Sequence, residues 1–471
     1  MRHDRPKGRR DRPGCEETKA LAQTASLETA PGLVDDLPLS AFQVWAVLMA
    51  AATVILDGLD NQMLGLAAPS LIKEWGVAKE ALGVVFAFGF VGMAFGTLTS
   101  GWMGDRFGRR GALIFGVAVF GIATLATGFA ADLTQVGILR TIAGVGLGGI
   151  PGTASAMIAE FTPPRWRSIA VTFGVVCVSI GGVLGGIAAS LIVPTLGWRW
   201  LFYLGGGISV LFVAVLHFLM PESPRYLAGR PERAGELTAL LRRIGHPSPE
   251  TVHLPVAGTS AAPAFVPMRA LIGPTLLRDT LALALAMFSG MFMIYLMFNW
   301  APTLLFSEGF AMGTAGSGLT AFNLGGTIGA MCASLAIMRF GSRGTLVVMA
   351  LGGTAACVFL ALLPISGGRN EGALLAGLGA LGLTASAAQS AMFAVGAHAF
   401  PTAVRARGLG LMGASGRVGA VLSALMGALL IGHGNLGFFG TLAALMFVNA
   451  IGFVAVRGHI PRLVRQTAIP I

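Results

Sequence analysis

Two acids, Asp57 and Asp60, stand in Asp57-Gly58-Leu59-Asp60 inside a run, residues 44–66, that is otherwise apolar enough to span a bilayer. A charged side chain at membrane depth costs about 2.5–3.5 kcal/mol even on a lenient insertion scale, so acids there mark function. Roughly one helical turn separates them, which puts both on one helix face. Carboxylates turned toward a protein interior within a membrane bind protons or ions, and transport is the first expectation. Arg140 offers a counter-charge, seven residues past Leu133 and so about 10 Å below the outer end of its own apolar run, at the depth of the acids. Desolvated opposite charges at one depth pair. Arg140 is therefore expected on Asp57 or Asp60, either as a proton-coupled pair or as a permanent structural salt bridge. Arg417 lies mid-run in Gly413-Ala414-Ser415-Gly416-Arg417-Val418-Gly419-Ala420, where small neighbours leave room for a ligand or another helix. Its planar fork suits a carboxylate. The apolar runs after residue 279 hold no Asp or Glu well inside, so an anionic substrate is favoured over an internal ion pair.

Helices must carry these groups, and the composition supplies them. Hydrophobic residues make up 55% of the 471 and charged ones 11%, with 68 glycines; mean hydropathy is +0.77. The charged share is about half that of soluble domains, and glycine lets membrane helices approach closely. An all-α polytopic membrane protein follows. A window of about 20 residues marks twelve spans near 44–66, 80–103, 112–130, 133–157, 168–193, 199–219, 280–305, 315–338, 345–364, 372–397, 408–430 and 436–456. With these spans marked, the net charge of +11 is not a nucleic-acid signal: of 32 Lys and Arg, 26 fall on the side of the N-terminus, four on the other, and Arg140 and Arg417 inside spans. The positive-inside rule puts both termini in the cytoplasm.

The chain divides into a basic, polar tail (1–40), expected to be disordered, a six-span half (41–220), a central cytoplasmic loop (221–278), a second six-span half (279–457) and a C-terminal tail (458–471). The halves repeat each other. Asp105-Arg106-Phe107-Gly108-Arg109-Arg110-Gly111-Ala112-Leu113 and Met338-Arg339-Phe340-Gly341-Ser342-Arg343-Gly344-Thr345-Leu346 match at six of nine positions after the second span of each half. Arg165-Trp166-Arg167 and Arg405-Ala406-Arg407 occupy equivalent places before the fifth. Duplicated six-span units make a transporter that rocks about a midplane site. Cys15, Cys177, Cys332 and Cys357 are scattered, without metal-ligand spacing. No nucleophile–base constellation and no phosphate loop appear, so neither enzyme chemistry, ATP drive, cofactor nor metal is expected.

Gly101-Trp102-Met103-Gly104-Asp105-Arg106-Phe107-Gly108-Arg109-Arg110 is similar to the loop 2–3 signature of the major facilitator superfamily, and Arg140-Thr141-Ile142-Ala143-Gly144-Val145-Gly146-Leu147-Gly148-Gly149-Ile150-Pro151 to its span-four motif. Asp57-Gly58-Leu59-Asp60, Glu160, Pro221-Glu222-Ser223-Pro224, Arg405 and the span-eleven Arg417 resemble the aromatic acid:proton symporter family over about residues 44–457. That resemblance implies a twelve-helix fold in two halves, a small aromatic acid anion and a proton as cargo, a bacterial inner-membrane location and a monomer. It implies gating by Asp105, Arg106, Arg109 and Arg110, with Glu160 as partner of the loop arginines and Arg405 on the same face. Phe298-Asn299-Trp300 and Gln389-Ser390 look like the family's aromatic wall and polar handles, although Trp300 fits an interfacial belt equally well. Asn323 is a further pocket candidate. His398, at the inner end of span ten, reads as a proton relay or a surface residue. The second-half loop, with Met338 and Ser342 in place of Asp105 and Arg109, is expected to latch more weakly. A drug–proton antiporter is the nearest alternative, lowered because Gly181-Gly182-Val183-Leu184-Gly185-Gly186 lacks the expected proline. A non-transporting receptor is another.

Overall fold

A bilayer core offers the backbone no hydrogen-bond partners, so long apolar runs in it must be helices that satisfy themselves. The computed structural model describes residues 38–246, 271, 273, 276–401 and 404–462, and among these it contains helices and no strand. Twelve helices are long and apolar enough to cross a membrane: Ala41–Trp75, Lys79–Phe107, Arg109–Thr127, Leu133–Phe161, Pro164–Leu196, Trp198–Leu219, Leu277–Ser307, Met312–Phe340, Ser342–Leu362, Glu371–Ala399, Arg407–Gly432 and Gly434–Ala455. They are spans one to twelve below. All twelve windows expected from hydropathy are occupied. Most helices overrun their windows. Span one starts on a capping box, Ser40 with Gln43, and ends at Gly76 with φ +62°.

Two features differ from expectation. Span four is two helices, Leu133–Leu147 and Ile150–Phe161, broken at Gly148-Gly149 where Pro151 starts the second. The central loop carries two short α-helices, Pro224–Ala228 and Ala234–Ile244, with a 3-10 turn between them. The expected N-terminal tail up to residue 37, the loop residues 247–270 and the tail from 463 lie outside the described residues.

Glycine sets the packing inside the first half. A Cβ at Gly58 would stand 2.1 Å from the Val178 carbonyl oxygen, and one at Gly181 would stand 2.0 Å from that of Ile55. Spans one and five therefore touch backbone to backbone, which explains the glycine between the two acids. The halves meet along spans one, two and eleven, five, seven and eight.

Candidate substrate and proton site

Asp60, Arg140 and Thr124 form a closed group from spans one, four and three. Arg140 Nη1 lies 3.0 Å from Asp60 Oδ2, its Nη2 donates to Thr124 Oγ1 at 2.6 Å, and Thr124 Oγ1 donates to Asp60 Oδ1. The guanidinium also sits 5.4 Å from the Phe202 ring centroid. All three polar side chains are buried. The sequence left Arg140 on either acid; the geometry selects Asp60.

Asp57 has another environment. It is equally buried, and Asn61 one turn on donates to its Oδ1 at 3.2 Å. No cation among the described residues pairs with it directly, but Arg417 stands within electrostatic range. Arg417 reaches across from span eleven to span two, where its nitrogens lie 3.5 Å from Met93 Sδ and 3.3 Å from Thr97 Oγ1. No carboxylate among the described residues comes within ion-pair distance of it. Beside it runs an edge-to-face row of rings: Phe90 to Tyr295 at 4.5 Å, Tyr295 to Phe298 at 6.1 Å, Phe298 to Phe322 at 5.9 Å. Such pairs suit an aromatic guest as well as each other.

On the face opposite the basic one, the halves are sealed. Gln62 and Asn323 exchange amide hydrogen bonds of 3.1 and 2.9 Å across the seam, both fully buried. A Cβ at Gly182 would stand 2.2 Å from Gln62 Nε2, so only glycine admits the pair. Trp300 is 0% exposed, packs edge-on to Phe86 of span two at 5.4 Å and donates its indole N–H to Ala424. This corrects the belt alternative: Trp300 plugs the seam and does not face lipid. Pro69 and Pro302 lie inside spans one and seven, which stay helical through them, and Gly65 backs directly onto the Phe298 carbonyl, 2.1 Å from where its Cβ would be. Asn323, a pocket candidate, is thus engaged by Gln62. Asn299 is buried with its Nδ2 unpartnered, as is Thr303 Oγ1 one turn on. Gln389 donates to Met287 Sδ at 3.0 Å within the second half, and its Oε1 lacks a partner.

Toward the basic face the seam opens. In span two the residues Thr97, Leu98, Thr99, Gly101 and Trp102 are all exposed, leaving both sides of that helix uncovered. A Cβ at Gly101, Gly152 or Gly413 would meet nothing within 4 Å. At the mouth, Arg109 lies 3.1 Å from Asp105 and 4.0 Å from Glu160, and Ser223 donates to Glu160. Glu222 accepts from the backbone N–H groups of Arg110 and Ser223 at 3.1 and 2.9 Å, capping span three. Burial holds its carboxyl above the usual range, opposed by those amides. Tyr226 donates to the Arg106 carbonyl at 3.0 Å, while the Arg106 side chain lies over Trp102. Arg405 donates to the Phe400 carbonyl at 3.4 Å. His398 is exposed and has no hydrogen-bond partner among the described residues.

Comparison with known proteins decides the family. The profile of the Major Facilitator Superfamily matches residues 50–368, from span one into the loop after span nine. The chain belongs to that superfamily. A gallate transporter of Pseudomonas putida is 32% identical over 90% of this chain and 94% of its own. The 4-hydroxybenzoate transporter PcaK of Pseudomonas aeruginosa is 34% identical over 89% and 93%. The inward-open structure of the xylose transporter XylE from E. coli superimposes with a TM-score of 0.67 at 18% identity, covering 89% of this chain and 97% of that one; it shares the fold. Like the rest of the superfamily matched here, this is a multi-pass membrane protein.

Four residues that the geometry brings forward carry no role in the reading from sequence. Thr124 and Gln62 are ordinary polar residues whose partners lie 64 and 261 residues away, beyond any local pattern. Tyr295 and Glu222 carried a signal: a tyrosine in the Met- and Phe-rich span seven, and an acid in the Pro221-Glu222-Ser223-Pro224 turn.

Proposed function

We propose that this chain imports an aromatic carboxylate together with protons across the bacterial inner membrane, by alternating access between its two halves, as a monomer with both termini in the cytoplasm. The observation that carries this reading is Arg417, a half-buried cation without an acid partner, facing the unpaired Asp57 across the seam beside a row of aromatic rings. Four charges occupy the interior: Asp60 with Arg140, which neutralise each other, and Asp57 with Arg417. With Asp57 ionised, the second pair is balanced at a distance. An arriving carboxylate takes over as the counterion of Arg417 and leaves Asp57 as an uncompensated buried charge, which is costly. A proton on Asp57 restores neutrality. Anion and proton therefore favour each other's binding, which is the thermodynamic content of symport. Asp60 and Arg140 stay paired and keep the first half rigid. In this scheme the proton does not release Arg140, and of the two options the sequence leaves open for that pair, the structural salt bridge is the one adopted.

The closed Gln62–Asn323 and Trp300 seam, with exposed span-two residues on the other face, is the arrangement of a carrier open to one side. The charge asymmetry supports the cytoplasm as that side. Asp105, Arg109 and Glu160 stand where the opposite gate would close, and Asn299, Gln389 and Asn323 flank the cargo path. The names of the relatives, a gallate and a 4-hydroxybenzoate transporter, support the aromatic acid class.

The test is uptake of radiolabelled gallate, benzoates and phenylpropionates into vesicles containing the protein, with an inward proton gradient present or collapsed. Accumulation that follows the gradient is expected for at least one of them. Equal uptake under both conditions would remove the proton from the reading, and binding without accumulation would make the protein a receptor.

A further inference from the structure

The chain has three tyrosines, and two of them explain their hydroxyls. Tyr203 donates to the Gly128 carbonyl at 2.8 Å and Tyr226 to that of Arg106 at 3.0 Å. Tyr295 has no hydrogen-bond partner among the described residues, although it is half-buried in span seven. A phenylalanine would make the same ring contacts with Phe90 and Phe298, so those contacts do not call for a hydroxyl. The hydroxyl is thus unexplained by packing. Its charged neighbours are Arg417 and Asp57. Arg417 is itself without an anion, its nitrogens resting on Met93 Sδ and Thr97 Oγ1. One span-seven donor without a partner and one span-eleven cation without an anion thus meet neighbouring turns of span two, at Phe90 and at Met93.

We propose that Tyr295 is a substrate-binding residue whose hydroxyl donates to the carboxylate held by Arg417, so that the anionic group is gripped from two helices of the second half while the substrate ring lies among Phe90, Phe298 and Tyr295. This rests on the aromatic-carboxylate reading above. A carboxylate accepts at both oxygens, so guanidinium and phenol share it without competing. The consequence is selectivity for the acid over its neutral amide, whatever the ring carries.

The experiment is equilibrium binding of radiolabelled benzoate, 4-hydroxybenzoate and 4-hydroxybenzamide to the reconstituted full chain, as wild type, Tyr295→Phe and Tyr203→Phe. Tyr295→Phe is expected to weaken both acids by a similar factor, about ten-fold or more for a hydrogen bond to a charged group, and to leave the weak amide binding nearly unchanged. Tyr203→Phe is expected to match wild type for all three. Unchanged acid affinity in Tyr295→Phe would overturn the proposal. So would a loss confined to 4-hydroxybenzoate, which would put the hydroxyl on the ring substituent. Wild type that binds neither acid would overturn the aromatic-acid reading itself, an outcome visible before any variant is made.

Discussion

In the first half Arg140, Thr124 and Asp60 bond one another within three spans, with the buried Arg140 Nε left unpartnered among the described residues. In the second half Arg417 finds no acid and reaches over the seam to Met93 and Thr97. A buried charge whose partner belongs to the same rigid unit stabilises that unit and reports nothing. A buried charge whose partner must come from outside the unit responds to whatever arrives. On the proposed mechanism the contrast separates Asp60 and Arg140, as structural groups, from Asp57 and Arg417, as the responsive ones.

The largest effect that would break this division is at Arg417. Arg417→Gln is expected to abolish gradient-driven uptake, a loss of a hundred-fold or more, with the thermal unfolding of the purified protein unchanged. A similar loss accompanied by unfolding would make Arg417 structural instead. Asp60→Asn should do the opposite and destabilise the fold by about 3–5 kcal/mol, the usual result of stranding one member of a buried pair. Combining it with Arg140→Gln should recover part of that stability. Asp57→Asn sharpens the comparison: exchange of labelled for unlabelled substrate should persist while accumulation against a gradient is lost, because a permanently neutral residue can neither take up a proton outside nor release it inside.

The seam gives a smaller effect. Interhelical hydrogen bonds in membranes contribute about 1 kcal/mol, so Asn323→Leu should shift the balance toward the outward-open form by only a few-fold. In a background without Cys15, Cys177, Cys332 and Cys357, a cysteine at Thr303 should then react faster with a membrane-impermeant maleimide. Equal rates would show that the amide pair does not hold the seam.

The smallest effect is at Glu222. Its carboxyl is raised by burial, so its contribution to stability is present at acid pH and fades as pH rises through the folded-state value. Glu222→Gln can still accept from Arg110 and Ser223, and it should melt progressively higher than wild type as pH is raised from acid to neutral.

Twelve spans, the repeat and both acids were legible in the sequence because hydropathy and loop motifs act over short separations. The choice between Asp57 and Asp60 was not, since one helical turn puts both within reach of Arg140, and Thr124, on a third span, is what fixes the selection. Trp300 fitted an aromatic wall and a belt equally well in sequence, because tryptophan near a helix end often lies at the membrane interface. Gly427, whose added Cβ would stand 2.2 Å from the Trp300 ring, made room to bury it, and a small residue on a distant helix leaves no mark in the local pattern of another. Asn323 was found but its partner was not, for the same reason of distance.

The backbone contact of Gly58 with Val178 and of Gly181 with Ile55 leaves no layer of side chains between spans one and five. Two helices joined that way cannot slide or compress against each other as interdigitated side chains can. A change of charge on Asp57, seated at that junction, thus has no soft element beside it to absorb the disturbance. In the proposed transport cycle that disturbance would pass to the seam between the halves, with span one acting less as a gate than as a lever whose fulcrum is made of glycine.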